Sequence, residues 1–251
     1  IFFRKDSRAP LIYVAKFVKN VSPATIEREI NAQGIFYQLG IAPAPIGFKS
    51  VRHGGVNLNA ILMEPVDYTL KEALCHAGSN IAAVQAIAED VYNVLTVMRD
   101  SNVTHGDLHL ENFCYVYPKT GKGAARPVLI DFGMSSTNYH LPEVDVEQLV
   151  RTLIDVGVPY RYADVIVNRV NDFLKDSNCP YTIVGTTKQH RKVWEYYIKK
   201  QKAGFEEFVS RCKPAGAQPP QQTGSGENLP SPFLQSPPPT PSLVFPEGFS
   251  P

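Results

Sequence analysis

The amino-acid sequence predicts an α+β fold, and three observations carry that prediction. Leu11-Ile12-Tyr13-Val14-Ala15-Lys16-Phe17-Val18 and Ala60-Ile61-Leu62-Met63-Glu64-Pro65-Val66 are β-branched, aromatic and aliphatic runs that read as strands. Between them, Ala24 to Leu39 follows a helical pattern. The clearest amphipathic helix begins at Asn80, where Ile81, Val84, Ile87, Val91, Leu95 and Met98 recur at spacings of three and four and form one apolar face. A chain of 251 residues buries a sizeable core as one or two domains.

Each element has its local signals. Ser22-Pro23 starts the first helix, with Ser as cap and Pro in the first helical position. Ile26, Ile30 and Ile35 lie among polar residues, Gly40 closes the helix and Pro43 forbids its continuation. His53-Gly54-Gly55 is a turn into the second strand, which ends in a connector stiffened by Pro65. Val128-Leu129-Ile130 is a short β-like run. Pro142 opens a helix over Val144 to Val156. Lys188 to Lys213 is helical and basic, with Trp194, Tyr197, Phe205 and Phe208 on its apolar side. From about Lys213 to Pro251 the chain is rich in Pro, Gln, Gly and Ser and is expected to be a disordered tail. Within it Ser236-Pro237-Pro238-Pro239-Thr240-Pro241 favours polyproline II, a form that docks on partner domains.

The chemistry concentrates in His105-Gly106-Asp107-Leu108-His109-Leu110-Glu111-Asn112-Phe113, followed by Asp131-Phe132-Gly133. Together they read H-x-D-x-x-x-x-N and then D-F-G, the phosphoryl-transfer signature of the protein-kinase-like superfamily, and the chain resembles that superfamily over roughly residues 1–212. The resemblance implies a two-lobed fold. Residues 1–66 form an N-lobe of antiparallel sheet and one helix, with the hinge; residues 67–212 form a mostly helical C-lobe; residues 213–251 are the tail.

It also implies ATP and Mg²⁺ as cofactors and a set of roles. Phosphoryl transfer needs an aimed nucleophile and neutralised phosphate charge. Asp107 accepts or orients the proton of the attacking hydroxyl. Asn112 and Asp131 are the metal ligands, since Mg²⁺ takes oxygen donors alongside substrate phosphates. Lys16 resembles the strand lysine that holds the α/β-phosphates. Glu29 is its partner from the helix, with Glu27 as the alternative. Met63 stands at the gatekeeper position, the Glu64 carbonyl and the Val66 N–H meet the adenine edge, and Cys114 completes the nucleotide-contacting set. His105 is structural. Asp145 is the buried helix carboxylate that anchors the catalytic loop.

Three departures narrow the reading. Ile1-Phe2-Phe3-Arg4-Lys5 resembles the second kinase strand and Asp6-Ser7-Arg8-Ala9-Pro10 the next turn, so the first strand and the glycine-rich phosphate loop are expected upstream of Ile1. Gly106 replaces the Arg that precedes the catalytic Asp in many regulated protein kinases, which removes a partner for an activation-loop phosphate. His109 stands where Ser/Thr kinases place a Lys against the γ-phosphate, and is assigned a catalytic role there. The string H-G-D-L-H is similar to aminoglycoside phosphotransferases, choline kinases and the ubiquinone-biosynthesis kinase-like family. Finally, the segment Met134 to Leu141 is short and no A-P-E follows, a layout similar to the small kinase of the KEOPS complex.

The resulting expectation is a phosphotransferase whose acceptor is a protein Ser/Thr hydroxyl. The alternatives are a small-molecule acceptor and an inert pseudokinase scaffold acting through the Pro-rich tail. Net charge is +1, which gives no global attraction to nucleic acid or anionic membrane. Cys75, Cys114, Cys179 and Cys212 lack metal or disulfide spacing, which predicts a reducing, cytoplasmic setting. No apolar run is expected to approach membrane-spanning length, and none reads as a signal peptide.

Overall fold

The computed structural model describes residues 13–19, 21–53, 56–78, 80–118, 123–155, 158 and 160–179. These all lie in one compact unit, Ile1–Ala217. The expected strand at Ile1–Lys5, the turn residues Gly54 and Gly55, the helix over 188–213 and the Pro-rich tail lie outside the described residues.

The predicted α+β architecture is observed. Strands β1 (Val14–Lys19), β2 (Pro45–His53) and β3 (Val56–Met63) form an antiparallel sheet in the order β1-β3-β2. Register pairs Lys16 with Ile61 and Val14 with Met63. Helix α1 (Pro23–Gln38) packs on this sheet. Its start is chemically set, because the Ser22 hydroxyl accepts from the Thr25 N–H at 3.2 Å and Pro23 occupies the first turn. Ile26 of α1, with Ile61 and Met63 of β3, forms the small N-terminal core.

The second part is mostly helical. A two-residue strand β4 (Tyr68–Thr69) leads into α2 (Leu70–Ala77), whose Thr69 and Glu72 form a reciprocal capping box. Helix α3 (Ile81–Asp100) follows, then β5 (Phe113–Val116) and β6 (Arg126–Leu129), which complete an antiparallel sheet in the order β4-β5-β6. A 3₁₀ turn at Phe132–Met134, α4 (Pro142–Asp155) and α5 (Tyr160–Asp176) finish the described fold.

Helix α3 corrects one expectation, since by length and composition it is apolar enough to cross a membrane. Its stripe is nevertheless interior: Val84, Val91, Leu95 and Met98 are fully buried in the large core. Burial of each such side chain contributes about 1.5–3 kcal/mol, so this stripe anchors the helix in the core. A second correction concerns cysteine. Cys114 and Cys179 are free thiols, but Cys75 is disulfide-bonded. Spacing along the chain does not report which cysteines approach in space.

Candidate active site

Lys16, Glu29 and Asp131 are delivered by three separate elements, and Asp107, His109 and Asn112 by one loop. Lys16 sits mid-strand on β1 and its Nζ meets Glu29 Oε1 of α1 at 2.7 Å. The same Nζ meets Asp131 Oδ1 at 2.6 Å, across 115 positions of sequence. Burial works against the Lys16 charge. The hydrogen bonds to Asp131 and Glu29 outweigh it, and the pKa is raised above the ordinary lysine value. Lys16 therefore stays cationic at neutral pH. Of the two glutamates weighed from sequence, Glu29 is buried against the lysine, whereas Glu27 is exposed on another face of the helix.

Asp131 is held in the left-handed region at φ 67°, ψ 74°. A non-glycine residue tolerates this conformation only where its surroundings fix it. Lys16 supplies one constraint and the 3₁₀ turn after it another. Gly133 lies close by, where an added Cβ would stand 3.6 Å from both Asp131 Oδ1 and Glu29 Oε2.

The catalytic loop is fixed from below by Asp145 of α4. Its Oδ2 accepts from the His105 N–H at 3.0 Å and its Oδ1 from the Gly106 N–H at 2.8 Å. Burial raises the Asp145 carboxyl to about 6, and the two N–H donors work against that rise. His105 is fully buried. Its Nε2 donates to the Ile130 carbonyl at 2.9 Å, because its Nδ1 accepts from the Asp107 N–H at 3.3 Å. Burial lowers its pKa to about 4, so the ring is neutral and tethers the loop to the strand before Asp131. Its structural role, read from sequence, is what the geometry supports.

Gly106 has a steric reason. Its φ is +80°, and a Cβ there would lie 2.3 Å from the Met134 carbonyl oxygen. The segment after D-F-G runs directly over the residue that many regulated kinases replace with Arg. Thr104 and Ser136 exchange backbone hydrogen bonds of 2.8 and 2.9 Å. The Thr104 hydroxyl donates to the Tyr139 carbonyl and accepts from the Leu141 N–H.

Asp107 and Asn112 meet across the loop. Asn112 Nδ2 donates to the Asp107 carbonyl at 2.9 Å and approaches its Oδ2 at 3.4 Å. That donor pattern directs Asn112 Oδ1 away, with no partner among the described residues. Asp131 Oδ2 is likewise unengaged there. One amide oxygen and one carboxylate oxygen fit Mg²⁺, which keeps several waters and takes phosphate oxygens. No cluster of three or more His, Cys, Asp or Glu capable of holding a metal occurs among the described residues. His109 Nδ1 accepts from the Glu111 N–H at 3.2 Å, so its Nε2 carries the proton and lies 3.8 Å from Asp107 Oδ2.

Among the residues expected from sequence to contact the nucleotide, Met63 is buried in the N-terminal core, and Val66 packs over Cys114, Val116 and Val128. The Val66 N–H has no partner among the described residues, while Asp67 N–H donates to the Tyr115 carbonyl at 2.9 Å. Cys114 is fully buried and desolvation pushes its thiol up to about 12, so it offers an inert apolar surface. Glu64 does more than present its backbone. Its N–H donates to the Ala44 carbonyl, its Oε2 accepts from the Ala44 N–H at 3.3 Å, and it pairs with Arg126 at 3.5 Å. Arg126 also donates to the Gly40 and Ala42 carbonyls, tying β6 to the exit of α1. Sequence reading missed Arg126, which has no motif to mark it.

The two lobes are joined by an aromatic contact. Phe36 of α1 lies 4.8 Å from Phe132 and 6.3 Å from His105, and His105 lies 5.3 Å from Phe132. The helix that carries Glu29 is thereby packed onto the turn that carries Asp131.

A two-lobed fold with this lysine, glutamate and aspartate triangle over an Asp–Asn catalytic loop defines a kinase of the protein-kinase-like superfamily, a phosphotransferase. Residues 4–165 match the lipopolysaccharide kinase (Kdo/WaaP) family, and the chain belongs to it. A comparison with curated proteins returns no match.

Proposed function

We propose that the protein transfers the γ-phosphate of ATP to a hydroxyl of a sugar in a lipopolysaccharide-type glycan. The observation that carries the reading is the triangle of Lys16, Glu29 and Asp131 facing Asp107 and Asn112, in a chain whose family is named for lipopolysaccharide. Lys16 holds the α/β-phosphates, kept in place by Glu29. Asn112 Oδ1 and Asp131 are the oxygen donors for Mg²⁺, which when bound neutralises phosphate charge. Met63, the Glu64 carbonyl, the Val66 N–H and Cys114 surround the adenine. Asp107 accepts the hydrogen bond of the acceptor hydroxyl and takes its proton as the new P–O bond forms and the bond from the γ-phosphorus to the β-phosphate oxygen breaks, with ADP leaving. His109 directs Nε2–H toward the same space and meets the transferring phosphate.

The H-G-D-L-H string, similar to that of small-molecule phosphotransferases, supports a non-protein acceptor. A protein Ser/Thr hydroxyl, the acceptor that the motifs alone favoured, is the competing reading. The short segment 134–141 and the lack of A-P-E count against it. A panel of glycan, amino-alcohol and protein acceptors with labelled ATP separates them. Label in protein but in no glycan would reject the proposal.

A further inference from the structure

A cleft between α1 and the segment after D-F-G has no role in the phosphotransfer set described above. Its volume is about 370 Å³, within the range of roughly 300–1,000 Å³ typical of small-molecule sites. Helix α1 lines one wall with Glu27, Arg28 and Asn31, the other wall carries Thr137 and Asn138, and Ile35 adds an apolar patch that is 37% exposed. Neighbouring hydroxyls are engaged: Ser135 Oγ donates to the Phe132 carbonyl at 2.7 Å, and Ser136 Oγ accepts from the Asn138 N–H at 3.4 Å. By contrast, the side chains of Glu27, Arg28, Asn31, Thr137 and Asn138 have no hydrogen-bond or ion-pair partner among the described residues.

The lining selects a ligand chemistry. A guanidinium, a carboxylate and two amides are planar groups that pair with adjacent hydroxyls, donating on one side and accepting on the other. Arg28 and Glu27 balance in charge, which disfavours a ligand of one strong sign. The small apolar patch suits the C–H face of a sugar ring. We propose that this cleft is a subsite for one sugar unit of the glycan acceptor, a unit other than the one that receives the phosphate. The inference rests on the glycan acceptor proposed above and extends it to a second contact region.

The position gives the subsite leverage. Glu27 and Arg28 immediately precede Glu29, which holds Lys16. Ser135 and Ser136 continue from Asp131-Phe132-Gly133, and Ser136 is bridged to Thr104 at the start of the catalytic loop. Binding energy gathered on a non-reacting unit is thus applied to elements that carry the catalytic groups.

The test uses the full chain and a de-O,N-acylated lipopolysaccharide core oligosaccharide as probe, with an Arg28→Gln/Asn31→Ala double variant. Calorimetry reads oligosaccharide binding, a fluorescent ATP analogue reads nucleotide affinity, and steady-state kinetics compare the oligosaccharide with a single-sugar acceptor. Loss of two side-chain contacts should raise the Kd and KM for the oligosaccharide about tenfold or more. Nucleotide affinity and the single-sugar KM should stay unchanged. A variant that binds the oligosaccharide as well as the wild type does, or a wild type that fails to bind it, overturns the subsite. Oligosaccharide binding that the double variant loses, with no phosphate transferred by the wild type, upholds the subsite and overturns the proposed activity instead. Should the double variant lose ATP-analogue binding, Thr137→Val replaces it, with the same expected and contrary results.

Discussion

At Gly106, a single hydrogen in place of a side chain decides how the catalytic loop meets the segment above it. Any Cβ there collides with the Met134 carbonyl, and φ +80° adds backbone strain. Gly106→Ala is expected to lower kcat by about 10²-fold, the penalty of roughly 1 Å of misplacement, with little change in ATP affinity; an unchanged kcat in steady-state assays would contradict it. Asp107→Asn should cost about 10²–10⁴-fold in kcat, the range of general acid–base catalysis, while Mg-ATP still raises the melting temperature. Two residues contribute to the pH response, His105 of this loop and Asp145 of α4, which holds the loop. Between about 4 and 6.5 the unfolded chain binds a proton on His105 that the native chain does not, so this contribution to stability rises with pH. Asp145 acts oppositely: between 3.8 and about 6 the native carboxyl keeps a proton that the unfolded chain has released, so its contribution falls as pH rises. Asp145→Asn removes the opposing contribution, and urea midpoints of the variant should climb more steeply from pH 4 to 6.5 than those of the wild type. Equal slopes would contradict the assignment. The reactive residue types were legible in sequence because H-x-D-x-x-x-x-N and D-F-G fix spacing. Arg126 was not, because its partners are backbone carbonyls at Gly40 and Ala42, which no side-chain pattern encodes.

At the scale of elements, α1 connects chemistry to packing. One face brings Glu29 to Lys16, and Phe36 near its end joins Phe132 and His105 in the larger core. Phe36→Ala should destabilise the fold by about 3–5 kcal/mol; a cost in urea unfolding near that of an exposed residue would refute the coupling. The helix was readable from Ser22-Pro23 and Gly40, which are local signals with a direct capping mechanism. Helices α2 and α5 are missing from the sequence reading, for different reasons. The eight residues of α2 present too few turns for periodicity, although the Thr69–Glu72 capping box marks its start. Helix α5 does carry the periodic signal, since Tyr162, Ala163, Ile166, Val167, Val170, Phe173 and Leu174 recur at spacings of three and four and are all buried; the pattern was overlooked, not absent. Helix α3 shows the reverse failure, since its apolar composition alone does not distinguish a core helix from a membrane span.

For the whole molecule, two lobes share one site because Lys16, Glu29 and Asp131 come from β1, α1 and the turn after β6 and converge within 2.7 Å. Fold class and phosphotransfer chemistry follow from the motifs, because catalysis on this fold is positioning by residues at fixed spacing. Acceptor identity does not, since a surface such as the cleft beside α1 is assembled from segments about a hundred positions apart, which no local motif encodes. The most direct test of the central claim is ³¹P NMR of a lipopolysaccharide core oligosaccharide incubated with the full chain and Mg-ATP. The account predicts a new phosphomonoester resonance on the glycan with the wild type, absent with Asp107→Asn. An unchanged glycan spectrum, with ATP turned over or phosphate appearing on protein instead, would contradict it.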